Sequence, residues 1–219
     1  MPRKNVSHLK VLVTAGPTRE WLDPVRFISN PSTGVMGYEI ARAAKRLGMS
    51  VTLLTGPTSL VVPKGTRLIP FESTQELEKL LIREFPRHDL LFMTAAVGDY
   101  TPVSIRRNKI KRHSTLFVKL RQTPDLLFKL SKLKKKKQRV VGFCLETGNL
   151  YRNAVRKLRS KRLDFIVANY LGRGTQPFGL SKTNVILISK TGKKKEFKKI
   201  NKNKLSDQLL EEILHADTK

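Results

Sequence analysis

The stretch Thr14–Gly37, TAGPTREWLDPVRFISNPSTGVMG, decides the fold. It follows an apolar run at 8–13, HLKVLV, and leads into a helical pattern at 38–47, YEIARAAKRL. A strand that empties into a Gly-, Ser- and Thr-rich loop and then a helix is how α/β proteins build anion sites. The glycines let the backbone approach the anion, and the helix N-terminus offers free N–H groups at the positive end of its dipole. Connections in compact domains usually take about 2–6 residues, so one this long is functional or disordered. Arg19, Arg26 and Asn30 are side chains an ordinary connector does not need. The loop is expected to belong to an active site, with Gly16, Ser32, Thr33, Gly34 and Gly37 as its phosphate-cradling positions.

Outward from that loop, apolar β-branched runs alternate with helical periodicity. Strands are expected at 8–14, 50–55, 66–71, 89–97, 116–120, 139–145 and 164–169, and helices at 36–47, 74–85, 124–136 and 149–162. The second helix opens on a capping box, Ser73-x-x-Glu76, and the third on Thr123 with Pro124 in its first turn. Continuous apolar strands separated by helices predict a Rossmann-like, doubly wound α/β fold, its mainly parallel sheet covered on both faces. Residues 184–200 predict an antiparallel hairpin turning near Thr191-Gly192, followed by a helix at Leu205–His215, so that 184–216 closes the fold. With no repeat or linker, 1–219 is expected to be one domain. Residues 98–115 are polar and basic, lack helical period and leave the C-terminal end of a strand, where open α/β sheets bind ligands. A flap over the site is the natural reading; an exposed loop is the bland one.

Composition narrows the class. At 39% hydrophobic content the 219 residues support a real core, and no apolar run approaches the ~18 residues a membrane span needs. Cys144 is a lone cysteine in an apolar run, which excludes a disulfide framework, and the four histidines show no metal-ligand spacing. Cytoplasm is the default compartment. The net charge of +27 favours anionic partners such as phosphates, nucleotides or nucleic acid. Much of it lies in two tracts, Lys132–Arg139 and Lys190–Lys204, whose bland reading is solvated, dispensable surface.

TAGPTRE (14–20), DPVRFISNPSTGVMG (23–37), TAAVGDY (94–100), NKIK (108–111), TPDLL (123–127), VGFCLET (141–147) and KLRSKRLDFIVAN (157–169) recur in order with family-like spacing. Together with the closing hairpin and helix they make the chain resemble the phosphopantothenoylcysteine synthetase family of coenzyme A biosynthesis. The resemblance implies a ligase in which CTP activates 4′-phosphopantothenate as an acyl-cytidylate with release of pyrophosphate. The amine of L-cysteine then attacks the acyl carbon, giving 4′-phosphopantothenoylcysteine and CMP. It further implies Mg²⁺ with the CTP, a homodimer, and, since Met1 stands just before the first strand, a stand-alone form beside a separate decarboxylase. Metal ligands stay open.

The resemblance also assigns roles. Lys109 on the flap matches the lysine that promotes adduct formation, and Arg26 and Asn30 match loop residues tied to the acyl-nucleotide and its conversion. Physically, Arg26 can grip a phosphate bidentately and Asn30 can hydrogen-bond an acyl phosphate without adding charge, although Asn30 before Pro31 also suits a plain turn. Nucleotide contacts are implied for Ala95, Ala96, Val97, Asp99, Lys109, Thr123, Pro124, Asp125, Leu126, Phe143, Lys157 and Lys161. Pattern alone would put Phe143 in the core and make the 123–126 stretch an ordinary helix start. Lys157 and Lys161 make a case without the family: four apart, they share one helical face, in a segment with no acid to offset its cations. Val35, Pro31, Gly98 and Thr123 depart from the commonest family residues.

Two rivals remain in view. An NAD(P)-dependent oxidoreductase would need a compact G-x-G-x-x-G turn and an acid after the second strand, and the sequence has neither. A basic nucleotide- or nucleic-acid-binding protein without ligase activity is the other, although no aromatic interleaving or zinc spacing supports nucleic acid.

Overall fold

The structure is a computed structural model that describes residues 6–112, 114–172 and 178–216. Its centre is an eight-stranded sheet. In chain order the strands are β1 (Lys10–Ala15), β4 (Ser50–Thr55), β5 (Arg67–Pro70), β6 (Leu90–Met93), β9 (Arg139–Glu146), β10 (Phe165–Tyr170), β11 (Thr183–Ser189) and β12 (Lys194–Ile200). They lie in the order β12-β11-β10-β9-β6-β1-β4-β5. From β10 across to β5 every neighbour runs parallel, and β11 and β12 add an antiparallel edge. Most central strands are buried on both sides, as in Val11, Leu12 and Val13, so their apolar runs are continuous rather than alternating.

Helices cover both faces. One core packs α1 (Val35–Arg46) and α5 (Lys202–His215) on the sheet through Ile40, Ala41, Leu205 and Leu209. The other packs α2 (Thr74–Glu84), α3 (Leu126–Leu133) and α4 (Leu150–Ser160) through Leu77, Leu81, Leu130 and Leu158. This is the doubly wound arrangement expected from the sequence. The chain winds outward in opposite directions from β1, through β4 and β5 on one side and β6, β9 and β10 on the other. The switch point therefore lies between β1 and β6, where ligands bind outside the strand C-termini.

Several local expectations are corrected. The strand expected over 89–97 ends at Met93, because residues 94–97 turn to bridge the first loop: Ala96 N–H donates to Gly16 O at 2.9 Å, and Pro17 and Ala96 form an isolated bridge. The strand expected at 116–120 is absent from the main sheet; β8 (Leu120–Gln122) pairs antiparallel with β7 (Tyr100–Pro102) as a separate two-stranded arm. The long first loop holds an unforeseen hairpin, β2 (Arg19–Trp21) with β3 (Phe27–Ser29), closed by edge-to-face packing of Trp21 on Phe27. Thr123 does not cap α3. Asp125 does, accepting the Phe128 N–H at 3.0 Å, which leaves Pro124 outside the helix. The capping box of α2 forms, with Ser73 Oγ accepting from the Glu76 N–H at 3.2 Å; the Glu76 carboxylate reaches back to the Glu72 N–H.

The lysine tracts are not wholly solvated surface. Lys134 from the first and Lys190 from the second both bind the buried carboxylate of Asp164, which also accepts the Val140 N–H. Burial opposes charge on Asp164, yet these three donors hold its carboxyl below the usual range.

Candidate functional site

A cleft of about 630 Å³ runs across the C-terminal ends of β6, β9 and β10. Its floor begins with the first loop. Gly34 is the N-cap of α1 with φ +77°, and a side chain there would stand 2.8 Å from Thr58 Cγ2. Gly37 lets α1 press on the sheet: an added Cβ would meet Ala15 Cβ and Thr94 Oγ1, each at 2.6 Å. These contacts aim the first turn of α1, which has no side-chain cap, into the cleft. Ser32, Thr33, Gly34 and Gly37 line it as expected, whereas Gly16 supports Gly34 from behind and does not line it.

The second wall is the 94–99 turn, tied to the first loop at several points. Ala95 N–H donates to Thr14 Oγ1 at 3.0 Å, Gly98 N–H to Thr18 Oγ1 at 2.9 Å, and Asn30 Nδ2 to Val97 O at 3.1 Å. Asn30 is thus more than a turn residue: its amide joins the two loops while facing the cleft. Thr123 extends the tie, its hydroxyl donating to Gly98 O at 2.6 Å and its N–H to Asp99 O at 2.9 Å. Ala95, Ala96, Val97, Asp99, Thr123, Pro124, Asp125, Leu126 and Phe143 all line the same space. Phe143 is only partly buried, so its ring serves the cleft as well as the core.

Lys157 and Lys161 close one end, and the acids their own helix lacks come from neighbours. Lys157 Nζ meets Glu146 at 2.7 Å and Lys161 Nζ meets Asp125 at 3.3 Å. Burial works against the Glu146 carboxylate, but hydrogen bonds from Lys157 and Asn153 keep it ionised below its usual range. Cys144 also lines the cleft; burial pushes its thiol up to about 11, which leaves it a small hydrophobe at neutral pH.

Lys109 and Arg26 do not line the cleft in this conformation; they belong to an adjoining latch. Asp23, fully buried, accepts the N–H groups of Val25 and Arg26 at 2.8 Å on one oxygen and that of Ile110 at 3.0 Å on the other. Arg26 Nη1 binds Asp23 at 3.2 Å and the Ile110 carbonyl at 3.0 Å. Both backbone groups of the residue after Lys109 are therefore held. The Ile110 amide first, then the amides and charge of the first loop, hold Asp23 below the usual carboxylate range against the opposing effect of its burial. Arg19, the other arginine of the loop, turns away to Glu72 at 3.5 Å and to the Phe27 ring.

Sequence reasoning missed Asp23, Thr18, Asn169, Thr183 and Lys202, of which the last three line the cleft. The Asp23-Pro24 pair was a legible signal, since Asp before Pro favours a side-chain-capped turn. Lys202 was hidden inside a lysine tract.

A mainly parallel doubly wound sheet, with an open helix N-terminus, small residues and lysines around one cleft at its switch point, defines an α/β protein with a ligand cleft suited to anions. Residues 6–216 match the family described as DNA/pantothenate metabolism flavoprotein C-terminal domain, and the chain belongs to it. The coenzyme A biosynthesis bifunctional protein of Bacillus subtilis is 40% identical over 205 residues, covering 93% of this chain and 50% of that protein. The chain thus spans about half the length of the curated relatives it matches. The crystal structure of the C-terminal domain of a coenzyme A biosynthesis bifunctional protein superposes with a TM-score of 0.80 at 34% identity, over 96% of this chain and 99% of the other. A Cab2 mutant solved in complex with phosphopantothenate-cysteine shares the fold at a TM-score of 0.78 and 20% identity, over 95% and 86% of the two chains.

Proposed function

We propose that this chain joins 4′-phosphopantothenate to L-cysteine, using CTP, as a cytoplasmic ligase of coenzyme A biosynthesis. The observation that carries the reading is the cleft itself. It gathers Asn30, the 32–37 loop, Asp99, the 123–126 stretch, Phe143, Lys157 and Lys161 from separate parts of the sequence into one space. The family membership and the place of its relatives in coenzyme A biosynthesis support it.

In this reading Lys157 and Lys161 attract the triphosphate, and Asp99 with the 123–126 backbone orients the base and ribose. Attack of the acid's carboxylate oxygen on the α-phosphorus forms the acyl-cytidylate and expels pyrophosphate. The cysteine amine then takes the acyl carbon, CMP leaves with the bonding electrons, and the amine proton passes to solvent. Asn30, held by Val97 O, keeps its amide at the loop where the acyl phosphate rests. Lys109 reaches the developing charge as the flap repositions about the Ile110 latch. The donor set fits a Mg²⁺ that arrives on the nucleotide. Asp99 and Asp125 are the aspartates of the cleft, Asp125 is engaged by Lys161, and no group of three or more His, Cys, Asp or Glu that could hold a metal occurs among the described residues. One carboxylate with substrate phosphates is a common Mg²⁺ arrangement, and the ion would neutralise polyphosphate charge.

A homodimer is part of the proposal. The β2–β3 hairpin and the β7–β8 arm expose Val25, Phe27, Tyr100, Ile105 and Phe117, the last 92% exposed. A second copy would bury these apolar side chains, which stand among exposed basic residues of the arm such as Arg106, Arg107 and Lys119.

The test is direct. Purified protein is incubated with 4′-phosphopantothenate, L-cysteine, Mg²⁺ and each nucleoside triphosphate in turn, and pyrophosphate and product are measured. Pyrophosphate with CTP and no other nucleotide is expected. None with any nucleotide, together with salt-steep RNA or DNA binding, would favour the non-ligase alternative.

A further inference from the structure

On the sheet face that carries α2, α3 and α4, no helix among the described residues covers the β11–β12 edge. Val185, Leu187 and Phe197 turn to the core beneath α1 and α5, whereas Ile188 turns to the other face beside α4. This leaves a groove of about 430 Å³ between α4 and the β11–β12 turn, and it shares no lining residue with the cleft. Its floor is apolar, formed by Val155, Leu158 and Ile188. It runs from the Tyr151 ring, 50% exposed, to the buried Asp164.

Lys134, Arg159, Arg162 and Lys190 line this groove against a single acid, Asp164. Both lysines are engaged by that carboxylate. The two guanidiniums are exposed and have no acid partner among the described residues. Arg162 also holds a backbone conformation that arginine disfavours. α4 ends in a Schellman motif, with the Leu163 N–H donating to Leu158 O at 2.9 Å and the Arg162 N–H to Arg159 O at 3.1 Å. Arg162 occupies its left-handed position at φ +49°, where glycine is usual because a side chain crowds the backbone. Cations at a helix C-terminus are favoured by the dipole in any case, which accounts for Arg159 but not for the strained backbone of Arg162. An unpaired arginine at a glycine position points to a ligand rather than to the fold. The Schellman bonds also satisfy the last carbonyls of α4, so an anion there meets guanidiniums and not bare oxygens.

We propose that this groove is a second nucleotide site, separate from the cleft, that takes a free nucleoside diphosphate or triphosphate. Arg159 and Arg162 grip the phosphates, for which a guanidinium is a bidentate donor. The base stacks on Tyr151, beside the Lys194 ammonium that lies 6.0 Å from the ring centroid. Tyr151 and Arg159 are just over two turns apart on α4, roughly 12 Å along its axis, which an extended nucleoside diphosphate spans. One exposed ring in the groove accommodates one base, which favours a free nucleotide over a polynucleotide strand. The site does not depend on the ligase reading, since none of these residues lines the cleft.

Photolabelling of the intact protein with 8-azido-ADP at about 0.15 M salt tests the site, with the labelled residues mapped by mass spectrometry. Label is expected on Tyr151 or its neighbours in α4, and unmodified ADP should chase it. Arg159→Gln combined with Arg162→Gly should raise the half-saturating concentration for that label about 10- to 100-fold, the range for lost charge-assisted contacts. Arg162→Gly by itself should raise the melting temperature by about 1–4 °C, because glycine relieves the left-handed backbone, so that lost label is not lost fold. Lys136→Gln with Lys137→Gln removes as much charge from exposed positions outside the groove and should leave labelling within about threefold. No label in α4, label undiminished in the arginine variant, or an equal loss in the lysine variant overturns the site. A melting temperature that falls in Arg162→Gly would assign Arg162 to the fold and overturn its role toward a ligand. Oligo(A) that chases the label at lower concentration than ADP, with a steep salt dependence, would make this face a nucleic-acid surface and overturn the free-nucleotide assignment.

Discussion

At the scale of single residues, several loops around the cleft are held by side chains that grip backbone groups. Asp23 is the clearest case. It is buried, and four of its contacts, to the amides of Val25, Arg26 and Ile110 and to the Arg26 guanidinium, converge on one latch. An asparagine side chain at this position would keep one acceptor but present an N–H₂ to the Ile110 N–H. Asp23→Asn is therefore expected to release the flap. Trypsin should cut the Arg106–Arg112 stretch faster than in the wild type, and acyl-nucleotide formation should slow by about 10²-fold, comparable to losing one preorganised donor. An unchanged cleavage rate would show that the flap is held elsewhere. Cys144 offers the opposite expectation. With its thiol pushed up to about 11 and its side chain buried, it should resist iodoacetamide at pH 7.5 and react fully only in denaturant. Fast modification of the native protein would mean that the cleft opens around β9.

Secondary elements explain both what the sequence disclosed and what it withheld. Central strands and covering helices were legible because their burial is set by local period: continuous apolar runs in β1, β4 and β10, and an amphipathic stripe through Ala154 and Leu158 in α4. The loops of the site were legible by motif, so the Ser32–Gly37 and Thr123–Leu126 positions meet in the cleft. Contacts far apart in sequence were not legible, and they account for the early end of β6 and the separate β7–β8 arm. Leu116–Leu120 looks like a core strand, but it lies in an exposed arm whose apolar residues stand largely uncovered within the described chain. If that arm is the dimer surface, Phe117→Ser should shift the protein from dimer to monomer by light scattering with its melting temperature nearly unchanged, since the ring packs on little of its own chain. A wild-type monomer would remove the dimer from the proposal. The lysine tracts misled for the same reason: no local pattern shows that Lys134 and Lys190 share Asp164. Lys134→Met should destabilise the fold by about 1–3 kcal/mol, the cost of weakening a buried charged hydrogen-bond set that keeps its other donors. Lys136→Met and Lys137→Met, at exposed neighbours, should have almost no effect in the same urea titrations.

For the whole molecule, the balance of protons bound in folded and unfolded states sets a two-stage response to acid. His88 is buried beneath the sheet, its ring nitrogens held by the Glu84 carbonyl at 2.7 Å and by Thr52 Oγ1 at 2.9 Å. Burial lowers its pKa, outweighing the pull of Glu84 and Asp89, while the Arg67 charge adds to the lowering. The unfolded chain therefore binds a proton at about pH 6.5 that the folded chain still refuses. This contribution is fully present above about pH 6.5 and is lost as the pH falls through the lower, folded value. The carboxylates act further down. Asp23, Glu84, Glu146 and Asp164 all titrate below their ordinary values in the folded state, so their contribution is complete above about pH 5 and disappears as the pH falls through each folded value. Every proton gained also adds to a net charge already at +27, which steepens the second stage at low salt. The melting temperature should accordingly be flat from pH 8 to about 6.5, fall gently to about pH 5, and drop sharply below pH 4. In His88→Gln the gentle phase should vanish while the sharp one remains, because the amide can still hydrogen-bond Thr52 but cannot take up a proton. A gentle phase that persists in that variant would assign it to some group other than His88, and a curve flat to pH 4 in the wild type would mean that the folded chain admits the proton after all.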